Sequence, residues 1–299
     1  MPSAFRGLVD DAAIFPPGNA DLEDAVAAWQ ERLGTPLETL VGSFVIGDHR
    51  LADLAALTGE VERPIPVSVV VGTGAGGLAP AASTVSRLPG VRLAGLEVAL
   101  RDPDDLAGNA RRIVAGLDQA RDHGAVDDDL PVYVELPQAD PTAGWLSAAD
   151  EVAGAELRLK FRTGGVEADL FPASRTLAAW VDAALDRETP FKCTAGLHHA
   201  VRHADPGTGI AHHGFLNLLL ATRRCFDGAA ADEVVGLLEE REPAALLAAW
   251  AGQEEPAMAG IRRWFTGFGS CSVREPWTDL VGLGLVDDPD RPGHSTKES

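Results

Sequence analysis

Lysine is nearly missing from this chain of 299 residues. There are three, Lys160, Lys192 and Lys297, within a total of 25 basic residues. A general solvating role for lysine is thereby excluded. The two internal lysines stand at matching points of two short apolar segments, ELRLKF and PFKCT. Lysine can lose its proton near neutral pH and act as an amine, which arginine cannot. Cysteine is equally scarce. Cys193, Cys225 and Cys271 have no framework spacing, which excludes a disulfide scaffold and fits a reducing cytoplasm, the expected location. Positive charge is in deficit: the net charge of −20 excludes a nucleic-acid backbone as partner and disfavours an anionic membrane surface. An anionic small-molecule substrate therefore needs a local basic pocket. No uncharged apolar run reaches the length of a membrane span. The opening MPSAFRGLVDD lacks the basic start and apolar core of a signal peptide.

What is present is an alternation of short apolar segments with amphipathic ones. Segments at 8–14, 40–47, 65–72, 91–100, 130–137, ELRLKF, PFKCTAG and 267–273 read as eight strands, and IPVSVVVG is as apolar as a strand buried on both sides should be. Between them lie helical patterns, among them one capped by Asp21 and one begun by Asp102-Pro103. From about 214 to 266 the pattern is helical with no strand. The expected architecture is a (β/α)₈ TIM barrel over 1–287, with a helical insertion at about 214–266 between strands seven and eight. A disordered tail is expected over 288–299. The runner-up, an open doubly wound sheet, would want a dinucleotide glycine fingerprint, and Gly72 to Gly77 lacks that spacing.

Barrel strands alternate between lumen and helix layer. Leu157, Leu159 and Phe161 suit the helix side, so Lys160 and Arg162 face inward near the C-terminal end, where such barrels keep their sites. The same parity sends Lys192 and Thr194 inward, with Tyr133 and Glu135 on strand five and Glu97 on strand four. Cys193 and Cys271 alternate outward as core thiols. Asp10 and Asp11 lie on strand one. A lysine beside another cation has its pKa lowered and can then attack a carbonyl to form a Schiff base. Glu97 or Glu135 would move protons as general acid or base. The turns Gly164-Gly165 and Gly196, with Gly269 and Ser270, are candidate cradles for a phosphate or carboxylate. The competing account of these charges is an internal ion-pair network that holds the strands together.

Five of the eight histidines fall within 198–213. His199 and His203, four apart, would share a helical face. With His198 and a carboxylate from Asp10, Asp11 or Asp205 they would suit a divalent metal such as zinc, in a hydrolase or lyase. The leading expectation is no cofactor, with His198 reaching the substrate from a loop. A third class is a non-catalytic barrel that binds a small anion or a protein. Leu218, Leu219, Leu237, Leu238 and Trp250 exceed what one barrel face needs, so a homo-oligomer through these helices is expected.

KFRTGG, then FKCTAGLHH, then GFGSCS resembles the last three strands of the deoxyribose-phosphate aldolase family. The resemblance covers about a quarter of the chain. It implies that Lys160 is the Schiff-base lysine and Lys192 the partner that tunes it. It puts Glu97 near the family's strand-four acid, as glutamate in place of aspartate. Two histidines replace the family's polar turn after strand seven, and Lys192 is separated from Ser270 by a gap too long for one strand–helix step. The expected activity is an aldolase-like lyase acting on a small carbonyl compound that carries a carboxylate or phosphate.

Overall fold

The apolar segments become strands. In order they are β1 (Val9–Asp11), β2 (Val41–Gly47), β3 (Ile65–Val71), β4 (Val91–Ala99), β5 (Val132–Glu135), β6 (Arg158–Arg162), β7 (Phe191–Thr194), β8 (His203–Ala204), β9 (Ala211–His212) and β10 (Phe265–Ser270). The structure is a computed structural model that describes residues 1–59, 61 and 63–287, and the expected tail lies outside these residues. Eight strands close into a barrel in the order β1-β10-β7-β6-β5-β4-β3-β2, and every pairing in it is parallel. Closure removes both sheet edges and excludes the open doubly wound sheet. The helices are α1 (Leu22–Arg32), α2 (Leu51–Ala55), α3 (Leu78–Val85), α4 (Leu106–Asp122), α5 (Ala143–Gly154), α6 (Ser174–Asp186), α7 (Phe215–Phe226), α8 (Ala231–Glu239), α9 (Pro243–Ala251), α10 (Glu255–Gly260) and α11 (Arg274–Gly282). None is long and apolar enough to cross a membrane among the described residues.

The core lies between barrel and helices, and its aromatic centre backs the lysine strands. Phe161 on β6 stacks on Trp180 of α6 at 5.5 Å and lies 5.3 Å from Phe191 on β7, which stacks on Phe265 of β10 at 5.4 Å. These side chains are fully buried. Their outward anchoring is what turns Lys160 and Lys192 into the lumen, because successive strand residues point to opposite faces.

Several local expectations give way. The helix expected from Asp102-Pro103 starts later, with Asp105 at its N-cap: the Asp105 carboxylate accepts from Gly108 N at 2.8 Å. Asn109 Oδ1 accepts from Arg101 N and Asp102 N, so those donors are satisfied outside the helix. Asp105→Ala should therefore lower stability by about 1 kcal/mol in urea unfolding, with Asp102→Ala well under half of that. Asp21 stands at the N-cap of α1 without a side-chain capping bond.

The segment around 199–213 is no helix. Asp205 Oδ1 accepts from Gly207 N and Thr208 N, and Gly209 has φ of +72°, so the chain turns back as the hairpin β8–β9. The leucine surplus of the following helices is absorbed within the chain. Leu218, Leu219 and Leu238 are buried, Leu237 is half-buried, and Trp250 stacks on Phe5 at 4.9 Å. The residues named for an oligomer contact thus have partners of their own.

Candidate active site at the C-terminal mouth of the barrel

Strand parity turns charged residues of five strands into the lumen, and register sets those of β5, β6 and β7 side by side. Lys160 on β6 lies opposite Lys192 on β7 and Glu135 on β5. Lys160 Nζ is 2.7 Å from Glu97 Oε2 and 2.9 Å from Glu135 Oε2. Lys192 Nζ is 2.7 Å from Glu97 Oε1 and 2.5 Å from Asp10 Oδ2. Glu97 thus bridges the two ammonium groups, and Ser68 Oγ also donates to its Oε1 at 2.7 Å. Asp10 is held from behind by Ser43, whose N and Oγ donate to Oδ1 at 2.9 and 2.7 Å. Arg162 Nε reaches the other oxygen of Glu135 at 3.3 Å.

This arrangement reverses the expected direction of the lysine pKa values. Burial by itself lowers both, but the carboxylates outweigh it. Glu97 and Glu135 raise Lys160 above its ordinary value, and Asp10 and Glu97 do the same for Lys192. Glu97 is correspondingly held well below the usual carboxylate range: its burial acts upward, and the two ammonium groups win. Glu135 is lowered in the same way by Lys160 and Arg162. A neighbouring cation acts to lower a lysine's pKa, and here the carboxylates in contact with each amine outweigh it.

Above this network opens a cavity of about 490 Å³, within the range of small-molecule sites. Lys160, Lys192, Glu97, Glu135, Arg162, Thr194, Gly165, Gly196, His198 and Gly269 all line it. Five of the expected site residues do not. Tyr133 lies below the lysines: its ring sits 5.1 Å from Lys192 Nζ, and its hydroxyl contacts Arg158 and Thr266 at 3.1 Å each. Asp11, next to Asp10, takes the opposite face and pairs with Arg32 of α1. Burial raises its pKa despite that arginine. Ser270 shares that outward parity, and its hydroxyl donates to Ser272 O at 2.8 Å. Gly164 packs on Gly196, where a Cβ would come 2.6 Å from the Gly196 Cα. Asp10 supports Lys192 without lining the cavity.

The loop after β7 has two consecutive left-handed residues, Ala195 with φ of +61° and Gly196 with φ of +74°. Such backbone costs a non-glycine residue about 1–2 kcal/mol. It is fixed by Thr163 Oγ1, which donates to Ala195 O at 2.6 Å, and it turns the chain so that His198 faces the mouth. His198 Nδ1 meets Glu275 Oε2 at 2.8 Å, and Nε2 lies 3.7 Å from Cys271 Sγ. Cys271 is therefore a half-buried thiol of the cavity wall and no core thiol, because β10 ends one residue earlier and the alternation with it. Burial pushes its pKa up. Cys193 is fully buried.

His199, His203 and His212 stand ring to ring. His199 Nδ1 pairs with Asp279 at 3.1 Å, and His203 packs between the rings of His199 and His212. Among the described residues no group of three or more His, Cys, Asp or Glu side chains is arranged to hold a metal ion. Of the zinc alternative's residues, the His199 and His203 rings still stand 4.6 Å apart without a helix, while His198 turns to Glu275 and Cys271. His213 is fully buried between Arg202 Nη1 and Pro172 O, each at 2.8 Å, and burial brings its pKa down to about 4. The unfolded chain takes up that proton near pH 6.5, so stability is complete above that value and falls as the pH drops toward 4. Between pH 7 and 5.5 the native protein should lose about 1 kcal/mol from this group. His213→Gln should remove that part of the slope in urea unfolding at the two pH values.

Sequence reasoning missed Arg101, Phe15, Phe171 and His212, all of which line the cavity. Arg101 was accessible, since it stands just past the C-terminal end of β4, where barrel sites are built. Phe15 and Phe171 lie in loops whose path no periodicity reveals.

No protein-family model matches the chain, and no curated protein matches it in sequence. Solved structures do match. The deoxyribose phosphate aldolase of Aeropyrum pernix, described as a tetramer, aligns with a TM-score of 0.53 and 12% identity over 96% of this chain and 94% of its own. A Coccidioides immitis protein described as a deoxyribose-phosphate aldolase aligns with a TM-score of 0.50 and 12% identity, over 94% and 87%. The resemblance seen in the last three strands thus extends, as a likeness of fold, around the whole barrel.

Proposed function

We propose that the chain is an aldolase-like lyase in which Lys160 forms a Schiff base with a small carbonyl substrate. One observation carries this reading: the Lys160 amine is buried at the floor of the cavity, between two carboxylates that line the same cavity. Glu135 or Glu97 accepts the ammonium proton, and the pair passes from charged to neutral with no change in net charge. The free amine then adds to the carbonyl carbon. The carbonyl oxygen leaves as water, taking one proton from the nitrogen and one from the carboxylic acid. The product is an iminium, a cation at the point where the two carboxylates already stabilise one. Cleavage follows when a carboxylate takes the proton of the substrate's β-hydroxyl. The C–C bond breaks, its electron pair enters the iminium to give an enamine, and the second fragment leaves as an aldehyde. Protonation of the enamine carbon and hydrolysis return the free lysine. Lys192 acts through Glu97 as a positioning residue, holding it ionised and aimed at Lys160.

The test is reductive trapping of the wild-type protein with acetaldehyde and cyanoborohydride, read by mass and peptide mapping. The expected result is one adduct, on Lys160. A second reading has an observation in its favour. Both lysines are fully paired, as a purely structural network would require, and that reading expects no adduct at all. A reducing cytoplasmic setting with free cysteines belongs to the same proposal, as does a homo-oligomer like the Aeropyrum pernix tetramer. Light scattering of the purified protein at micromolar concentration tests the oligomer, and a monomer would count against it.

A further inference from the structure

We infer that the substrate is an oxo acid with an apolar body, aromatic or branched aliphatic, and a single carboxylate, and that it is not a sugar phosphate. This rests on the amine reading above. The loops after β6 and β7 hold the glycines that could have cradled a phosphate, but this chain has filled the space beside them. A Cβ on Gly165 would come 2.3 Å from Leu170 Cδ1, and one on Gly164 or Gly196 would come 2.8 or 3.1 Å from Phe171 Cε1. These positions are glycine so that Leu170 and Phe171 can lie against the backbone. Phe171 in turn packs on His212 with ring centroids 4.3 Å apart. The result is an apolar wall on that arc of the mouth. Ser270, the other candidate for an anion, faces away, and the rim beside it carries the Glu275 carboxylate paired with His198. A phosphate dianion there would meet a like charge.

The remaining walls agree. Val166 lines the cavity while 63% exposed, an apolar side chain left in water that an apolar ligand would cover. The cations not consumed by the lysine network lie on the other arc. Arg101, beyond β4, is exposed and its guanidinium has no carboxylate partner among the described residues. Arg162, at the end of β6, is 39% exposed and spends only Nε on Glu135. Two guanidinium groups flanking β5 match the planar, two-pronged recognition of a carboxylate. A ligand held by them lays its apolar body toward Val166 and Phe171, with its carbonyl over Lys160.

The experiment is reductive trapping on Lys160 at increasing concentrations of three ketones: phenylpyruvate, phenylacetone, which lacks the carboxylate, and dihydroxyacetone phosphate. Acetaldehyde serves as the size-neutral control. Phenylpyruvate should half-saturate at a concentration about tenfold or more below dihydroxyacetone phosphate. Arg101→Met should raise the phenylpyruvate value about tenfold relative to that of phenylacetone. If dihydroxyacetone phosphate saturates at an equal or lower concentration, the substrate class is wrong and the amine reading stands. The same holds if acetaldehyde alone gives an adduct. Absence of any adduct on Lys160, acetaldehyde included, removes the amine reading and the substrate class together.

Discussion

Lys160→Arg is expected to form no reductive adduct at position 160 and to abolish the proposed lyase turnover, with the barrel still folded. Guanidinium stays protonated at every pH the protein survives, so it cannot supply the nucleophile, although it keeps the positive charge that Glu97 and Glu135 require. Lys160→Met would test the same chemistry less cleanly, because it strips a cation from two buried carboxylates. The companion Lys192→Arg should retain the adduct on Lys160 but form it more slowly. The larger head disturbs the 2.7 Å contact through which Lys192 holds Glu97. Intact-protein mass after trapping reads both variants, and circular dichroism controls for folding. Full turnover by both arginine variants would rule out the amine mechanism and leave the lysines as anion-binding charges.

The largest stability effect should come from Glu97. This carboxylate is 1% exposed and accepts from both lysines and from Ser68 at 2.7 Å each. Glu97→Gln leaves Lys160, Lys192 and Arg162 with only Glu135 and Asp10 as anions, one buried cation in surplus, and breaking a buried pair this way costs about 3–5 kcal/mol. Lys192→Met added to Glu97→Gln removes that surplus, so the double variant should be more stable than the single. Urea unfolding of the four proteins in the cycle measures it, and a double variant less stable than Glu97→Gln would refute the network. The pH dependence has a defined sign. Glu97 and Glu135 have folded pKa values below the unfolded value of about 4.3, so their contribution is present above that pH and fades as the solution is acidified. The lysines, raised in the folded state, contribute below about 10.4 and lose that contribution on the alkaline side. The network is therefore at full strength between about pH 5 and 10, and Glu97→Gln should flatten the acid limb.

The site was legible wherever it rested on strand alternation. Phe161 and Cys193 are apolar and buried, so the parity of β6 and β7 was readable, and with it the inward course of Lys160, Arg162, Lys192 and Thr194. The same rule split Asp10 from Asp11 and turned Ser270 away from Gly269. It applied to them as well, but grouping them by chemistry overrode it. The rule stopped working where the strands stop. Cys271 lies one residue past β10, and where the spacing alone presented a helix, His199 lies in a loop and His203 in the first strand of a hairpin.

Lysine scarcity, strand–helix alternation and the apolar parity of each strand determined the barrel and the two amines in its lumen, because these are properties of neighbours in the chain. Which ions each amine meets was decided only by closure of the barrel. Closure sets Glu97 of β4 between lysines of β6 and β7 and brings Asp10 of β1 to Lys192, 182 residues away. Pairing across that distance reverses the direction of both lysine pKa values. Local spacing showed a lysine beside a lysine, and the fold placed a carboxylate between them.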